Sequence, residues 1–313
     1  MARVSARAAV TTVAILSWLS AASASAVGGL AFVHAYRNGD MGIDGIGGPR
    51  STAVSPDGAS LYVNAVSPEV SSIAVFRRDA GTGRLTEVQV VMRPDICTGG
   101  LVTVSPDGAS VYLTGSSCDT LAVFQRDTMT GTLTFLEVHQ QGIGGDDGLD
   151  GVLGVTVSPD GANVYVTAVT EGAVAVFARD SGTGRLTFVE VQKNGMNAVS
   201  GLSGAADVAI GPDGQNAYVA SRLDNAVAVF SRSSVTGALT FLQVEREGVG
   251  GVDGLGDADA VRVSADGRHV YATGINDSAV AVFARDVGTG FLTFVEVQRD
   301  GTGGVPPWDD GRC

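Results

Sequence analysis

The sequence predicts an all-β chain made of five copies of one four-stranded unit, and three observations predict it. Ser-Pro-Asp-Gly or a one-residue variant recurs, placing its aspartate at Asp57, Asp107, Asp160, Asp213 and Asp266, at spacings of 50, 53, 53 and 53 residues. Five residues after each aspartate stands a tyrosine: Tyr62, Tyr112, Tyr165, Tyr218 and Tyr271. A phenylalanine then closes an apolar run at Phe76, Phe124, Phe177, Phe230 and Phe283. Self-similarity at a period near 50 residues is the mark of a repeat architecture, whose units cannot bury their apolar faces alone.

Each unit reads as four strands in order. In the third, Val155-Thr156-Val157 leads into Pro159-Asp160-Gly161. There proline presets φ, aspartate bonds nearby amides and glycine relieves the exit of a tight turn. Val164 to Thr167 follows, then a short loop, then Val174-Ala175-Val176-Phe177. A Gly182-Thr183-Gly184 hairpin reaches Leu186 to Val191, whose alternation of apolar and polar residues marks a half-exposed outer strand. The middle runs are apolar on both faces, as strands packed between neighbouring sheets must be. A four-stranded unit repeated in this way is a propeller blade. The expected organisation is a single β-propeller domain over 27–313, with repeats at about 49–94, 95–141, 150–194, 203–247 and 256–300. Residues 30–38 (Leu30 to Asn38) match the fourth strand of later units and predict one surplus outer strand, an edge open to self-association.

Residues 1–26 have the layout of a secretory signal peptide: Arg3 and Arg7, an apolar run from Ala8 to Leu19, and Ala24-Ser25-Ala26 before the expected cleavage. The run is too short for a spanning helix, so the reading is a secreted or periplasmic protein without membrane insertion. With Lys+Arg 20 against Asp+Glu 33 the net charge is −13, and an acidic surface repels phosphate backbones, so no nucleic acid partner is expected.

The Ser-Pro-Asp-Gly-x-x-x-Tyr motifs, the Ala-Val-Phe-x-Arg-Asp segments and the Thr-Gly-x-Leu-Thr segments resemble the YVTN and lactonase-type β-propeller families over essentially the whole chain after residue 26. The resemblance implies a 6-phosphogluconolactonase-like fold, usually of seven blades, in enzymes and in secreted binding proteins. It also implies histidines just before the innermost strands. Here those positions hold Pro49-Arg50, Gly99-Gly100, Leu153-Gly154, Ala206-Asp207 and Asp259-Ala260.

Strand alternation puts the inter-blade loops and the second-to-third loops on one face, and the Pro-Asp-Gly turns and Thr-Gly hairpins on the other. The turn aspartates read as structural, and the repeated Arg78, Arg126, Arg179, Arg232 and Arg285 as hairpin chemistry. On the loop face, Gly-x-x-Gly-x-Asp-Gly-(Leu/Ile) loops carry Asp44, Asp147 and Asp253, and resemble single copies of the calcium-binding nonapeptide of RTX proteins. A glycine-rich turn capped by its aspartate is the plainer reading of these loops and calcium binding at Asp44, Asp147 and Asp253 the alternative; no other cofactor is expected. Glu69, Asp119, Glu171, Asp224 and Asp277 in the second-to-third loops add an acidic ring. Asp44, Asp147, Asp253, Glu171, Asp224 and Asp277 make the expected ligand face of a secreted binding scaffold for a small-molecule, carbohydrate or protein ligand. The alternative is a lactone hydrolase, for which Asp207 and Asp259 are the acid/base candidates beside Arg50 and Arg262. Cys97, entering the second blade, and Cys118, in its second-to-third loop, fall on one face and are expected to form a disulfide, leaving Cys313.

Overall fold

The computed structural model describes residues 33–39, 43–66, 71–95, 97 and 99–300. The chain divides into two units, Met1–Val33 and His34–Cys313. All of the first but Val33 lies outside the described residues, and so do the signal-peptide reading of 1–26, Glu69 and Cys313. Every described strand belongs to the second unit.

Twenty strands form five antiparallel sheets, each in sequence order. Blade one comprises β1 (Pro49–Val54), β2 (Ser60–Val66), β3 (Ser71–Arg78) and β4 (Leu85–Met92). Blade two has β5 (Val102–Val104), β6 (Ser110–Gly115), β7 (Thr120–Arg126) and β8 (Leu133–Gln140). Blade three has β9 (Val152–Val157), β10 (Asn163–Ala168), β11 (Ala173–Arg179) and β12 (Leu186–Lys193). Blade four has β13 (Ala205–Ile210), β14 (Asn216–Ser221), β15 (Ala226–Arg232) and β16 (Leu239–Arg246). Blade five has β17 (Ala258–Val263), β18 (His269–Gly274), β19 (Ala279–Arg285) and β20 (Leu292–Arg299). The second strands β6, β10 and β14 are buried at every position, while the fourth strands alternate. Inner strands pack side by side in the order β1, β5, β9, β13, β17, and the described residues show no comparable packing of β17 on β1.

The Pro-Asp-Gly turns are held as their residue types dictate. Ser158 Oγ donates to Asp160 Oδ1 (2.5 Å) and accepts from the Asn163 amide (3.0 Å), while Gly161 takes a positive φ of 70°. The surplus strand is corrected: residues 33–37 belong to no sheet, and 30–32 lie outside the described residues. Among the described residues no third strand of a preceding blade stands beside this segment. It is held by a side chain instead, Tyr36 Oη accepting the Leu85 amide (2.7 Å) with its ring 6.4 Å from Phe76. In later blades that phenylalanine meets a fourth-strand phenylalanine edge-on, as Phe177 meets Phe188, whereas blade one has Glu87 opposite Phe76.

The repeated arginines also depart from the hairpin role expected of them, because their chief role lies between blades. Arg126 of blade two donates from Nε to Tyr62 Oη (2.7 Å) and from Nη2 to Asp57 Oδ2 (2.8 Å), both in blade one. Its Nη1 bonds Gly108 O in its own blade (3.1 Å), and Tyr62 Oη in turn donates to Gly131 O (2.8 Å). Arg179, Arg232 and Arg285 repeat this on Tyr112 and Asp107, Tyr165 and Asp160, and Tyr218 and Asp213. Burial pushes Tyr165 and Tyr218 up to about 12, so both remain hydroxyl donors. The Ser55 hydroxyl, ahead of Arg126, brings Asp57 down to about 2, so the turn carboxylate remains an acceptor. The series ends at both termini of the array. Arg78 keeps its own-blade bond to Gly58 O (3.1 Å) with no preceding blade among the described residues, and Tyr271 is 39% exposed where the other four repeat tyrosines are wholly buried.

Arg179→Met removes the buried guanidinium and leaves Asp107 with a 41% exposed side chain, so the loss is that of charge-assisted hydrogen bonds, about 2–3 kcal/mol, while Arg78→Met costs under about 1 kcal/mol. Denaturant midpoints of the two variants check this, and equal losses would contradict the inter-blade role.

Candidate active site

The first residues of the inner strands surround a mouth on the loop face, and their later residues line a channel. The channel encloses about 440 Å³ between Ser51–Val54, Leu101–Val104, Val155–Thr156, Asp207–Ile210 and Arg262–Val263. The mouth, about 380 Å³, is bordered by Arg50, Asp207, Arg222, Asp259 and Arg262. An adjoining hollow of about 400 Å³ shares Arg50 and Arg222 and adds the hydroxyls of Ser116, Ser117 and Thr170. Asp207 and Arg262 border both channel and mouth.

Asp207 is fixed by its strand. It sits at the β13 irregularity, where Ala205 pairs with Ser221 and Asp207 with Ala220, and its carboxylate crosses to β17. Oδ2 accepts the Val261 amide (3.0 Å) and pairs with Arg262 Nη1. Burial raises the Asp207 pKa above the ordinary carboxylate range, with Arg262 and the Val261 amide opposing. The guanidinium does not cancel the burial because Arg262 is 67% exposed, where water screens its charge. Asp259 is held differently, in an ion pair with Arg222, whose Nε donates to Oδ1 (2.7 Å). Arg50 is exposed and makes no hydrogen bond or ion pair among the described residues.

The two aspartates named as acid/base candidates thus border one mouth, together with Arg50 and Arg262. Arg222 is the residue that sequence reasoning missed, although it is the one cation in the second-to-third loops. None of the described histidines borders mouth or channel. His139 lies on β8, bonded to Asp146 Oδ2 (2.8 Å), and His269 begins β18.

The loop-face acids are occupied with the backbone and with basic side chains. Asp224 and Asp277 accept the amides of Ser203 (3.0 Å) and Gly256 (2.6 Å), tying each second-to-third loop to its own blade's entering loop, whereas Asp119 accepts the amide of Gly151 (2.7 Å) at the entry to the next blade. Cys97 and Cys118 form a disulfide at the corresponding place in blade two, with Cα atoms 5.5 Å apart. Glu171 and Asp147 share Lys193, at 2.5 and 2.8 Å, and the Lys193 hydrogen bond lowers Asp147. Arg299 holds Asp253 through both guanidinium nitrogens and lowers it likewise. Asp44 is exposed, and its amide donates to Glu87 Oε2 (2.9 Å). The loop aspartates Asp44, Asp147 and Asp253 therefore belong to separate blades. Oxygens of Glu247, Asp253 and Asp277 do gather within 4.8 Å on the blade-five loops. Burial, with Asp277 and Asp253 alongside, raises Glu247.

The chain is 26% identical over 248 residues to a 6-phosphogluconolactonase of Enterobacter, a match covering 77% of this chain and 68% of that one. It superposes on the periplasmic gluconolactonase PpgL of Pseudomonas aeruginosa with a TM-score of 0.64 at 26% identity, covering 80% of this chain and 69% of that one. A Lactobacillus plantarum protein at 24% identity and a TM-score of 0.64, covering 80% of this chain and 71% of that one, shares the fold. These likenesses favour the lactone-hydrolase alternative over the binding scaffold. The family model for lactonase, 7-bladed beta-propeller, matches residues 39–199 and again 155–305, the overlap reflecting the internal repeat. On that match the chain belongs to the lactonase, seven-bladed β-propeller family.

Proposed function

We propose that the protein hydrolyses a lactone at the mouth bordered by Arg50, Asp207, Arg222, Asp259 and Arg262, and that it does so outside the cytoplasm. The observation that carries this reading is Asp207, a buried carboxyl with a raised pKa that opens on both cavities beside a guanidinium. In its ionised form it takes a proton from a water in the mouth. The resulting hydroxide adds to the lactone carbonyl, the ring C–O bond breaks, and the departing ring oxygen takes up a proton to leave a hydroxy acid. Arg262, Arg222 and Arg50 face the negative charge that develops on the carbonyl oxygen and persists on the product carboxylate. Family membership supports the reaction class, and the leader-like 1–26 supports the compartment.

Aldonolactone opening, followed against the spontaneous rate, tests the reading. Asp207→Asn is expected to lower kcat by about 10²–10⁴-fold, the usual share of a general base. Arg50→Ala should act mainly on KM. A wild-type rate equal to the spontaneous one would return the protein to the binding class.

The pH response of stability checks the state of Asp207 apart from catalysis. Its native pKa lies above the unfolded 3.8, so the folded chain holds that proton more tightly. The stabilising contribution is full below 3.8 and lost as pH rises through the native pKa. Wild type is expected to lose stability relative to Asp207→Asn across that rise, and denaturant unfolding at a series of pH values reads the difference.

Calcium enters this proposal at Glu247, Asp253 and Asp277, where three carboxylates supply part of the 6–8 oxygens that the ion takes. A weak site is expected. Millimolar calcium should raise the melting temperature above that in chelator, and Asp277→Asn should abolish the rise. An unchanged melting temperature removes calcium from the reading.

A further inference from the structure

The hollow beside the mouth differs from it in chemistry. It encloses about 400 Å³ and shares Arg50, Gly99, Leu153 and Arg222 with the mouth, so the two spaces are continuous. The mouth has the carboxylates of Asp207 and Asp259 on its border. Beyond the shared arginines the hollow has the hydroxyls of Ser116, Ser117 and Thr170 and, among the described residues, no carboxylate. Ser117 and Thr170 stand one period apart in the second-to-third loops of blades two and three, and blade four carries Leu223 at the same place. The hydroxyl lining is therefore not a general property of these loops.

Two glycines set these hydroxyls against bare backbone. A Cβ on Gly99 would lie 2.3 Å from Ser116 Oγ, and one on Gly151 would lie 2.2 Å from Thr170 Oγ1. The walls are also fixed. Cys118, next to Ser117, is bridged to Cys97, and Asp119 Oδ1 holds the Gly151 amide (2.7 Å). A site fixed in advance loses little to ordering when a ligand enters. Each hydroxyl donates one hydrogen bond and accepts two, so one already engaged within the protein keeps capacity for a ligand.

Charge separates what the two spaces take. Arg222 is paired with Asp259, and Arg50 stands at the junction, where the proposed hydrolysis puts the reacting carbonyl. Past that junction the hollow offers neutral donors and acceptors, the lining that a polyhydroxyl group matches. Each space alone falls in the range of about 300–1,000 Å³ that encloses a small ligand, so the pair holds more than one sugar ring. We propose that the hollow is a subsite for a polyhydroxylated substituent, and that the preferred substrate is a lactone carrying a second sugar ring, with the lactone in the mouth and the second ring against Ser117 and Thr170. The reaction in this proposal rests on the lactonase reading; the ligand rests on the hollow.

Opening of cellobiono-δ-lactone against glucono-δ-lactone tests it. For the disaccharide lactone kcat/KM is expected to be about tenfold higher, the factor that one net hydrogen bond gives. Ser117→Ala and Thr170→Val, both at exposed loop positions, should bring the ratio back toward one. Equal kcat/KM for the two lactones would overturn the proposal, as would a ratio that neither substitution alters. A preference for 6-phosphorylated gluconolactone over both would overturn it too, since the hollow would then be an anion site. Where no lactone opens above the spontaneous rate, the lactonase reading fails by itself, and titration calorimetry of the ring-opened acids decides the subsite. Cellobionate binding tighter than gluconate, and weakened by Thr170→Val, supports the subsite; equal binding of the two acids overturns it.

Discussion

The fold depends on how a buried guanidinium is satisfied between blades. Each blade has a core only one sheet thick, so its stability is shared with its neighbours. Apolar packing between blades is non-directional and would tolerate sliding. The arginine is what fixes the register. Its planar fork reaches its own turn glycine with one nitrogen and the preceding blade's tyrosine and aspartate with the others. All these partners must be in place at once, because a buried guanidinium with unmet donors is costly. This explains why turn serine, turn aspartate, tyrosine and arginine recur together: they form one unit spread across two blades.

With the scaffold tied in this way on its turn face, the loop face is free to vary, and the five blades do vary there. Blade two replaces a glycine loop by a disulfide, blade three uses a lysine between two acids, and blade five an arginine. The charged mouth gathers in blades four and five, with Arg50 added from blade one. Asp207 is placed by the β13 irregularity, a standard way for a strand to re-aim one side chain.

Much of the architecture was legible because it is written five times. Period, turn chemistry and strand alternation agree in every unit, and local rules that agree leave few alternatives. The arginine role was not legible, since Arg-Asp before a Thr-Gly hairpin has a sufficient local explanation, and its true partners stand 64–72 residues earlier. Residues 30–38 read as a strand from their likeness to the fourth strand of later units, but a strand needs a neighbour, and among the described residues 33–37 have none. At the site, Asp207 and Asp259 stood out as charges at inner-strand starts. Arg222 did not, because a loop cation reads as solvated rim until the fold turns it toward a mouth.

The arginine contacts all point one way along the chain: each comes from a later blade and completes an earlier one. A blade emerging from the ribosome holds a tyrosine without its arginine until the next blade is made. For Tyr165 that is Arg232, 67 residues later. In the native contacts each blade is therefore completed by the one that follows it, so a chain stopped within a period would leave one seam without its arginine.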